Sequence, residues 1–150
     1  MIELKKSPLH QRGFTLVELM ITVMIASILL GMAVAGYGSQ IRKSRRTEAK
    51  TALLDLAGRE EQLYSTTSTY SANLNDVGYG TAQVSTMVVA SGYYSVTVAV
   101  PNSTTFTLTA TPNTADQRKD TNCAVFTVTN TGLQSSTDTS TNDSTATCWR

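Results

Sequence analysis

The chain has 150 residues, enough for one compact domain with an appendage. Its 12 Lys and Arg residues nearly balance 11 Asp and Glu residues, so the net charge gives no case for binding nucleic acid or an anionic membrane. The sequence contains no Ser–His–Asp set, glycine-rich phosphate loop, paired-acid site or Cys/His zinc motif, so we expect no enzyme, no metal and no cofactor.

The N-terminal third combines a polar, basic leader with a long apolar run. The leader covers residues 1–13 and ends at Gly13, and from residue 14 to residue 37 the only charged residue is Glu18. About 20 apolar residues suffice for a helix to cross about 30 Å of hydrocarbon. A cleaved secretory signal has a shorter apolar stretch, with its cleavage site after that stretch. The pattern therefore predicts a membrane-spanning helix over residues 14–38 behind a leader of 13 residues.

Glu18 requires an explanation, because an isolated carboxylate in hydrocarbon costs a few kcal/mol. In one interpretation, Glu18 lies near the end of the helix and reaches the lipid headgroups. In the other, it meets a cation when the segment leaves the lipid. The nearest candidate cation is a newly exposed α-amino group on Phe14, four residues earlier and close to the same helix face.

The hexapeptide GFTLVE at residues 13–18 resembles the class III signal of the type IV prepilins. The resemblance implies that a membrane-bound prepilin peptidase cleaves between Gly13 and Phe14 and methylates the new N-terminal Phe14. It also implies that Glu18 neutralises the N-terminus of a neighbouring subunit in the filament. Subunits of this family act through interaction and not through catalysis.

Within that family, the chain resembles the minor pilins called PilE. The resemblance lies in SRRTEA at 44–49, ALLDLA at 52–57, the pair Tyr64 and Tyr70, and the ending Cys148-Trp149. Many pilins of this type carry a proline at the position of Ala35 in this chain. Without that proline, whether the stem kinks or melts near residues 35–38 stays open.

The helix is predicted to continue through residues 39–64 with one apolar face. Apolar residues recur at i, i+3 and i+4 from Ala49 onward, which is typical of a helix with one buried stripe. These residues are Ile41, Ala49, Ala52, Leu53, Leu56, Ala57, Leu63 and Tyr64. The opposite face carries the charged residues Arg46, Lys50, Arg59 and Glu61, and Asp55 and Arg59 form an i,i+4 pair.

The remaining residues, 65–150, predict a head with a small antiparallel sheet for the helix to pack on. Apolar and polar residues alternate over 93–100, 105–110 and 124–128, the period of half-buried strands. A turn is predicted at 101–104 and a polar loop at 112–122, and Val84 and Val88 suggest an additional edge strand. The predicted fold class is α+β: a long helix packed on this sheet, as in the pilin fold.

Cys123 and Cys148 flank a segment, 134–147, that is rich in Ser, Thr, Asp and Asn and would be disordered by itself. After export the head would lie in an oxidising compartment, where distant cysteines favour a disulfide. Such a bond would hold a polar C-terminal loop against the sheet and would resemble the D-region of pilins. The alternative is a pair of free buried thiols.

Two polar clusters have open alternatives. Asp116, Asp120, Asp138 and Asp143 are either calcium ligands or solvated loop acids, although they do not form the EF-hand pattern. The basic run RKSRR at 42–46 could contact DNA phosphates, but it adjoins the predicted span. Lipid headgroups, or acids on a neighbouring stem, are therefore favoured, and nucleic acid stays open as a disfavoured partner.

The charge count alone would place the C-terminal head in the cytoplasm. Five cations between residues 42 and 50 outnumber the leader's Lys5, Lys6 and Arg12, and the side with more cations is usually cytoplasmic. The cysteine pair, the threonine-rich strands and the resemblance outweigh that count. We expect a single-pass inner-membrane protein with a cytoplasmic N-terminus before assembly, and an extracellular pilus subunit afterwards.

The expected partners are other pilin subunits, the prepilin peptidase, the inner-membrane assembly platform and, before assembly, membrane lipid. The expected roles are those of surface filaments, namely adhesion, twitching motility and DNA uptake. The alternatives are a pseudopilin of type II secretion and a pilus-tip module that binds DNA or an adhesion ligand.

Overall fold

The computed structural model describes residues 13–79 and 83–150, except for the side chains of residues 33–36. The leader residues 1–12 and the segment 80–82 lie outside the described residues. The chain divides into two compact units, Met1–Gly38 and Ser39–Arg150.

One helix, α1, runs from Leu16 to Thr67, so its C-terminal end lies three residues beyond the predicted position. Ser68 then adopts a left-handed conformation with a φ of 58°, and its N–H donates to the Tyr64 carbonyl at 2.8 Å. This is the usual geometry of a helix C-terminus. Among the described residues no helix is by itself long and apolar enough to span a bilayer; Leu16–Met32 and Tyr37–Thr67 meet that condition only as a pair.

The head contains five antiparallel strands in sequential order. Their bounds are β1 Thr86–Val88, β2 Tyr94–Asn102, β3 Thr105–Pro112, β4 Val125–Thr129 and β5 Gln134–Thr137. The three predicted strands are present as β2, β3 and β4, and the suggested edge strand near Val84 and Val88 is present as β1. The predicted α+β pilin fold is therefore confirmed.

Two predicted loops were wrong in part. Pro101, expected in a turn, lies inside β2, where the register shifts between Ala99 and Asn102. Proline lacks the N–H that a regular ladder needs, and irregular pairing is where strands tolerate it. The second error concerns Gln134–Thr137, expected in a loop disordered by itself, which forms β5 because its backbone pairs with β4 from Val125 to Val128.

The core of the head lies between the second half of α1 and one face of the sheet. Ala49, Leu53 and Leu56 of the helix are fully buried, as the predicted stripe requires. On the sheet, the alternating residues that are buried are Tyr94, Val96, Val98, Phe106, Leu108, Ala110, Phe126 and Val128. The period of two along the strands and the i, i+3, i+4 spacing along the helix thus place apolar residues in a single core.

The C-terminal segment covers the β5 edge of the sheet. Cys123 and Cys148 are joined by a disulfide, with their Cα atoms 5.8 Å apart, and Cys148 ends the short helix α2, Thr145–Cys148. The Ser136 N–H donates to Thr145 Oγ1 at 2.9 Å, and the Ser144 N–H donates to the Ser136 carbonyl at 2.9 Å. These contacts satisfy backbone groups that an uncovered edge strand would expose.

Candidate functional site

The first unit contains the predicted processing site. Gly13 and Phe14 precede α1, and the Phe14 side chain is 82% exposed. A Cβ atom added at Gly13 would meet nothing within 4 Å, so the described chain leaves room for alanine there. Glu18 is also exposed, in the first turn of the helix. Cleavage and the pairing of Glu18 with a neighbour's amine remain predictions.

Thr15 caps the helix, a role that was not predicted from the sequence. Its Oγ1 accepts a hydrogen bond from the Glu18 N–H at 3.2 Å, and its carbonyl accepts from the Leu19 N–H at 3.2 Å. The sequence Thr15–x–x–Glu18 is the capping-box pattern, in which a residue before the helix satisfies an N–H of the first turn. A carboxylate in that turn is also favoured by the helix dipole. This pattern in the sequence could have identified the cap.

The apolar segment leaves its large side chains exposed on all sides. Every Leu, Ile, Val, Met and Phe from Phe14 to Met32 is between 52% and 82% exposed in the isolated chain. The polar Thr22 and Ser27 donate their hydroxyl hydrogens to the Leu19 and Met24 carbonyls, both at 2.8 Å. Because these hydroxyls are satisfied within the helix, the surface suits lipid or other apolar helices.

In the second unit, the basic run of α1 contacts the 3-10 helix Gln117–Lys119 and the residues that flank it. Arg46 donates through Nε and Nη2 to both oxygens of Asp120, each at 2.6 Å. Arg45 donates to Asp116 Oδ2 at 2.7 Å and stacks on Tyr93, 3.7 Å from the ring centroid. The hydrogen bond from Arg45 holds the pKa of Asp116 below its usual value.

These contacts change two interpretations of the sequence. Arg46 was placed on the polar face opposite the core, but it is largely buried against Asp120 of the same chain. Asp116 and Asp120, considered as calcium ligands or solvated acids, are partners of arginines instead. Asp138 accepts hydrogen bonds from the Ser140 and Asn142 N–H groups, both at 2.8 Å. Among the described residues, no three His, Cys, Asp or Glu side chains lie close enough to hold a metal ion.

Gln117 joins these elements from inside the head. Its fully buried side chain donates from Nε2 to the Tyr94 hydroxyl at 2.8 Å. The same nitrogen lies 3.4 Å from the Arg42 carbonyl and 3.4 Å from Asp120 Oδ2. Burial raises the pKa of Tyr94 to about 12, so the phenol stays protonated. A buried polar residue with bonds to helix, strand and loop fixes the positions of all three.

A buried glutamate of α1 holds the loop that follows the helix. Glu60 is fully buried, and its Oε2 accepts from the Ser71 N–H at 3.1 Å. Its Oε1 has no partner among the described residues. Burial raises the pKa of the Glu60 carboxyl group, and the neighbouring Glu61 accepts from the Tyr70 hydroxyl at 2.9 Å. Glu60 gives no signal in the sequence, because a glutamate in an amphipathic helix normally faces water.

The aromatic residues near the C-terminus are packing residues. Trp149 contacts Phe126 edge to face, with ring centroids 5.9 Å apart, and its indole N–H donates to the Ser135 carbonyl at 2.7 Å. Tyr94 is fully buried. These rings therefore hold the C-terminal segment and the sheet together and do not form an exposed platform for stacking bases.

Two family models of known proteins match this chain, one over its N-terminal segment and one over most of the rest. A family model described as "Type IV minor pilin ComP, DNA uptake sequence receptor" matches residues 35–127, which is more than half of the chain. A second model, described as "Prokaryotic N-terminal methylation motif", matches residues 9–34.

Two individual proteins are similar to part of the chain or at low identity. The type IV major pilin protein PilA of Myxococcus xanthus (strain DK1622) is 38% identical over 70 residues, which is 47% of this chain and only 32% of that protein. A solved structure described as a type IV pilin from Shewanella oneidensis is 24% identical, has a TM-score of 0.48, and covers 73% of this chain and 98% of its own. On the match to the first family model, the chain belongs to the family of type IV minor pilins described as ComP, DNA uptake sequence receptor.

Proposed function

We propose that this chain is a non-enzymatic subunit of a type IV pilus, made as a precursor and assembled after cleavage. The observation that carries the proposal is the helical segment with large apolar side chains exposed on every side, next to a head that buries its own. A helix that is apolar all round requires lipid or other helices as its surroundings. A pilin uses both in turn.

The proposed organisation follows the sequence boundaries. Residues 1–13 form the leader, residues 14–38 the segment for membrane and filament core, residues 39–64 the amphipathic half, and residues 65–150 the head. Prepilin peptidase would cleave between Gly13 and Phe14 and methylate Phe14. The processed subunit would leave the inner membrane at the assembly platform and join other pilins in an extracellular filament. Closer kinship with the PilE subgroup stays a prediction.

N-terminal sequencing of the subunit from sheared filaments tests this proposal. We expect the mature chain to begin at N-methylated Phe14, and an intact leader in assembled filaments would refute it. Substitution of Gly13 by Arg should block cleavage, whereas alanine, for which the described chain has room, is the matched control. Immunogold labelling of the same filaments separates a minor subunit, labelled sparsely, from a major one, labelled continuously.

DNA uptake is a second candidate, and the description of the matched family is the observation that favours it. The residues of the head weigh against strong binding: in 65–150 the cations Arg118, Lys119 and Arg150 face five aspartates. Arg45 and Arg46 are in addition bound to Asp116 and Asp120. Few phosphate contacts imply weak binding that depends little on salt.

Gel-shift titrations of purified filaments with duplex DNA at two salt concentrations test this candidate. A receptor should bind one sequence in preference to a scrambled duplex of equal length. Equal and weak binding of both duplexes would leave the filament-subunit role and remove the receptor role.

A further inference from the structure

Three cations of the second unit, two from α1 and one from the head, surround one carboxylate. Asp116 lies 2.7 Å from Arg45 Nη1, 3.6 Å from Arg42 Nη1 and 4.0 Å from Lys119 Nζ. The nearby pair of Arg46 and Asp120 is neutral by itself. The cluster of Arg42, Arg45, Lys119 and Asp116, here called the basic collar, therefore carries an excess of two positive charges.

Most donors of the basic collar are not used by the fold. Only Arg45 is within hydrogen-bond distance of Asp116. The distances from Arg42 and Lys119 are too long for hydrogen bonds, and no side-chain hydrogen bond of either residue occurs in the described part of the chain. Lys119 is 70% exposed and Asp116 51% exposed. Arg42 and Arg45 are 23% and 17% exposed, so the basic collar presents its uncommitted N–H donors and positive charge to solvent mainly through Lys119.

The position of the basic collar along the chain indicates what it meets. Arg42 follows Tyr37, the end of the apolar run, by five residues, which is about 7.5 Å along a helix. The polar headgroup layer on each side of a bilayer is about 5–8 Å thick. Four residue steps separate Arg42 from residue 38 in sequence, and even a fully extended chain of that length spans no more than about 14 Å. A chain anchored by residues 14–38 therefore keeps Arg42 within reach of the lipid headgroups.

We propose that the basic collar binds the phosphate of anionic phospholipid headgroups while the subunit is in the membrane. The proposal rests on the proposed function, since it requires an inserted stem. All three cations lie within 4.0 Å of one carboxylate, so they form a compact patch suited to single headgroups. An extended row of cations, as a DNA duplex requires, is a different arrangement.

The experiment uses the full-length chain in nanodiscs of equal parts phosphatidylcholine and phosphatidylglycerol. Native mass spectrometry of the released protein measures which lipids it retains. We expect phosphatidylglycerol to be enriched over its share in the disc. The double variant Arg42→Gln/Lys119→Gln removes two long ion pairs with Asp116 and no hydrogen bond. It should reduce the enrichment by about fivefold for each charge removed.

Two further variants test the sign and the location. Asp116→Asn removes the only acid of the basic collar and should increase the enrichment. Arg59→Gln is the matched control, because Arg59 pairs with Asp55 at 3.0 Å, about 25 Å along the helix from Arg42, and it should leave the enrichment unchanged. Circular dichroism and the absence of free thiols show that each variant retains its folded head.

The possible outcomes separate the two proposals. Wild-type chain that is recovered in nanodiscs without lipid enrichment overturns the basic collar proposal and leaves the pilin function intact. Chain that cannot be recovered in nanodiscs at all contradicts both. A third outcome has three parts: no lipid is enriched, a duplex oligonucleotide binds nanodiscs that carry the wild-type chain, and the double variant abolishes that binding. In that case the basic collar is a nucleic-acid site instead.

Discussion

The two units of this chain use apolar residues in opposite ways. From Phe14 to Met32 the large apolar side chains are 52–82% exposed, whereas the core residues of the head are at most 9% exposed. The polar groups differ too. Thr22 and Ser27 bond to carbonyls three residues away, while Gln117 bonds to a strand and to the helix more than 20 residues away. The head therefore completes its own structure, and the stem requires lipid or other subunits to cover it.

The difference implies that equal truncations have unequal effects on the head. Phe126→Ala should destabilise the head by about 3–5 kcal/mol, because it empties a fully buried position between Tyr94 and Trp149. Leu29→Ala removes a side chain that is 61% exposed and should leave the stability of the head unchanged. Urea unfolding of the detergent-solubilised chain, followed by Trp149 fluorescence, measures both. Equal losses in the two variants would remove the distinction between the units.

Substitutions in the apolar segment of residues 14–38, the stem, should affect filament assembly. If Glu18 pairs with a neighbour's Phe14 amine, removing one member of such a buried pair typically costs about 3–5 kcal/mol. Glu18→Ala and Glu18→Gln should then be cleaved normally but enter filaments poorly, as quantified by immunoblots of sheared filaments against the membrane fraction. Both variants keep Thr15 and the backbone N–H that it caps.

Thr22→Val, a nearby change in the same segment, is the control for Glu18 and should assemble normally. Assembly of both Glu18 variants at the level of the unmodified chain would support the alternative, in which Glu18 only reaches the headgroups.

The disulfide should contribute slightly less to the unfolding free energy of the head than the buried Phe126 side chain does. Cys123 and Cys148 are separated by 25 residues in sequence, and closing a loop of that length contributes about 3–4 kcal/mol in the chain-entropy model. Cys148→Ser should lower the unfolding free energy by about that amount, and Thr147→Ser, an exposed neighbour, should not. Mass spectrometry after alkylation without reductant gives an independent check, since alkylation of both cysteines in the unmodified chain would contradict the disulfide.

The smallest expected effect concerns the pH dependence of the head. Burial, with Asp76 and Glu61 adding like charge, raises the pKa of Glu60 above its ordinary 4.5. A raised pKa in the folded state means that the native head takes up the proton first as the pH falls. The contribution of Glu60 is therefore most favourable below about pH 4.5 and is lost as the pH rises through the folded-state pKa.

Glu60→Gln should remove this dependence and stabilise the head at neutral pH relative to the unmodified chain. Thermal unfolding at several pH values between about 4 and 7 measures the difference in stability between Glu60→Gln and the unmodified chain. The other acids titrate in both proteins, so this difference reports on Glu60 alone. Glu48→Gln, at a glutamate twelve residues earlier in α1 that accepts from the Ser91 N–H at 3.3 Å, is the control. An unchanged difference across this range would show that the pKa of Glu60 is the same in the folded and unfolded states, which contradicts the effect of burial.

Patterns within a few residues of one another determined much of this protein from the sequence alone. The all-apolar run with Glu18, the helical stripe around Leu53 and the alternation in β2, β3 and β4 each follow from a local periodicity. The signal at residues 13–18 identified the family by the same kind of short pattern. The Cys123–Cys148 disulfide, predicted from two distant cysteines in a domain expected to be exported, is present.

Only the tertiary structure decided which polar residues meet. Arg46 and Asp120 are 74 positions apart, and Glu60 and Ser71 join a helix to a loop. Neither pair produces a periodic signal, because a charged residue has the same identity on a solvated face and in a buried ion pair. The strand β5 is similar: Gln134–Thr137 has no apolar alternation and becomes a strand only because β4 offers it an edge and the disulfide-linked segment covers the other side. Long-range pairing of this kind depends on the folded backbone, so local sequence patterns do not contain it.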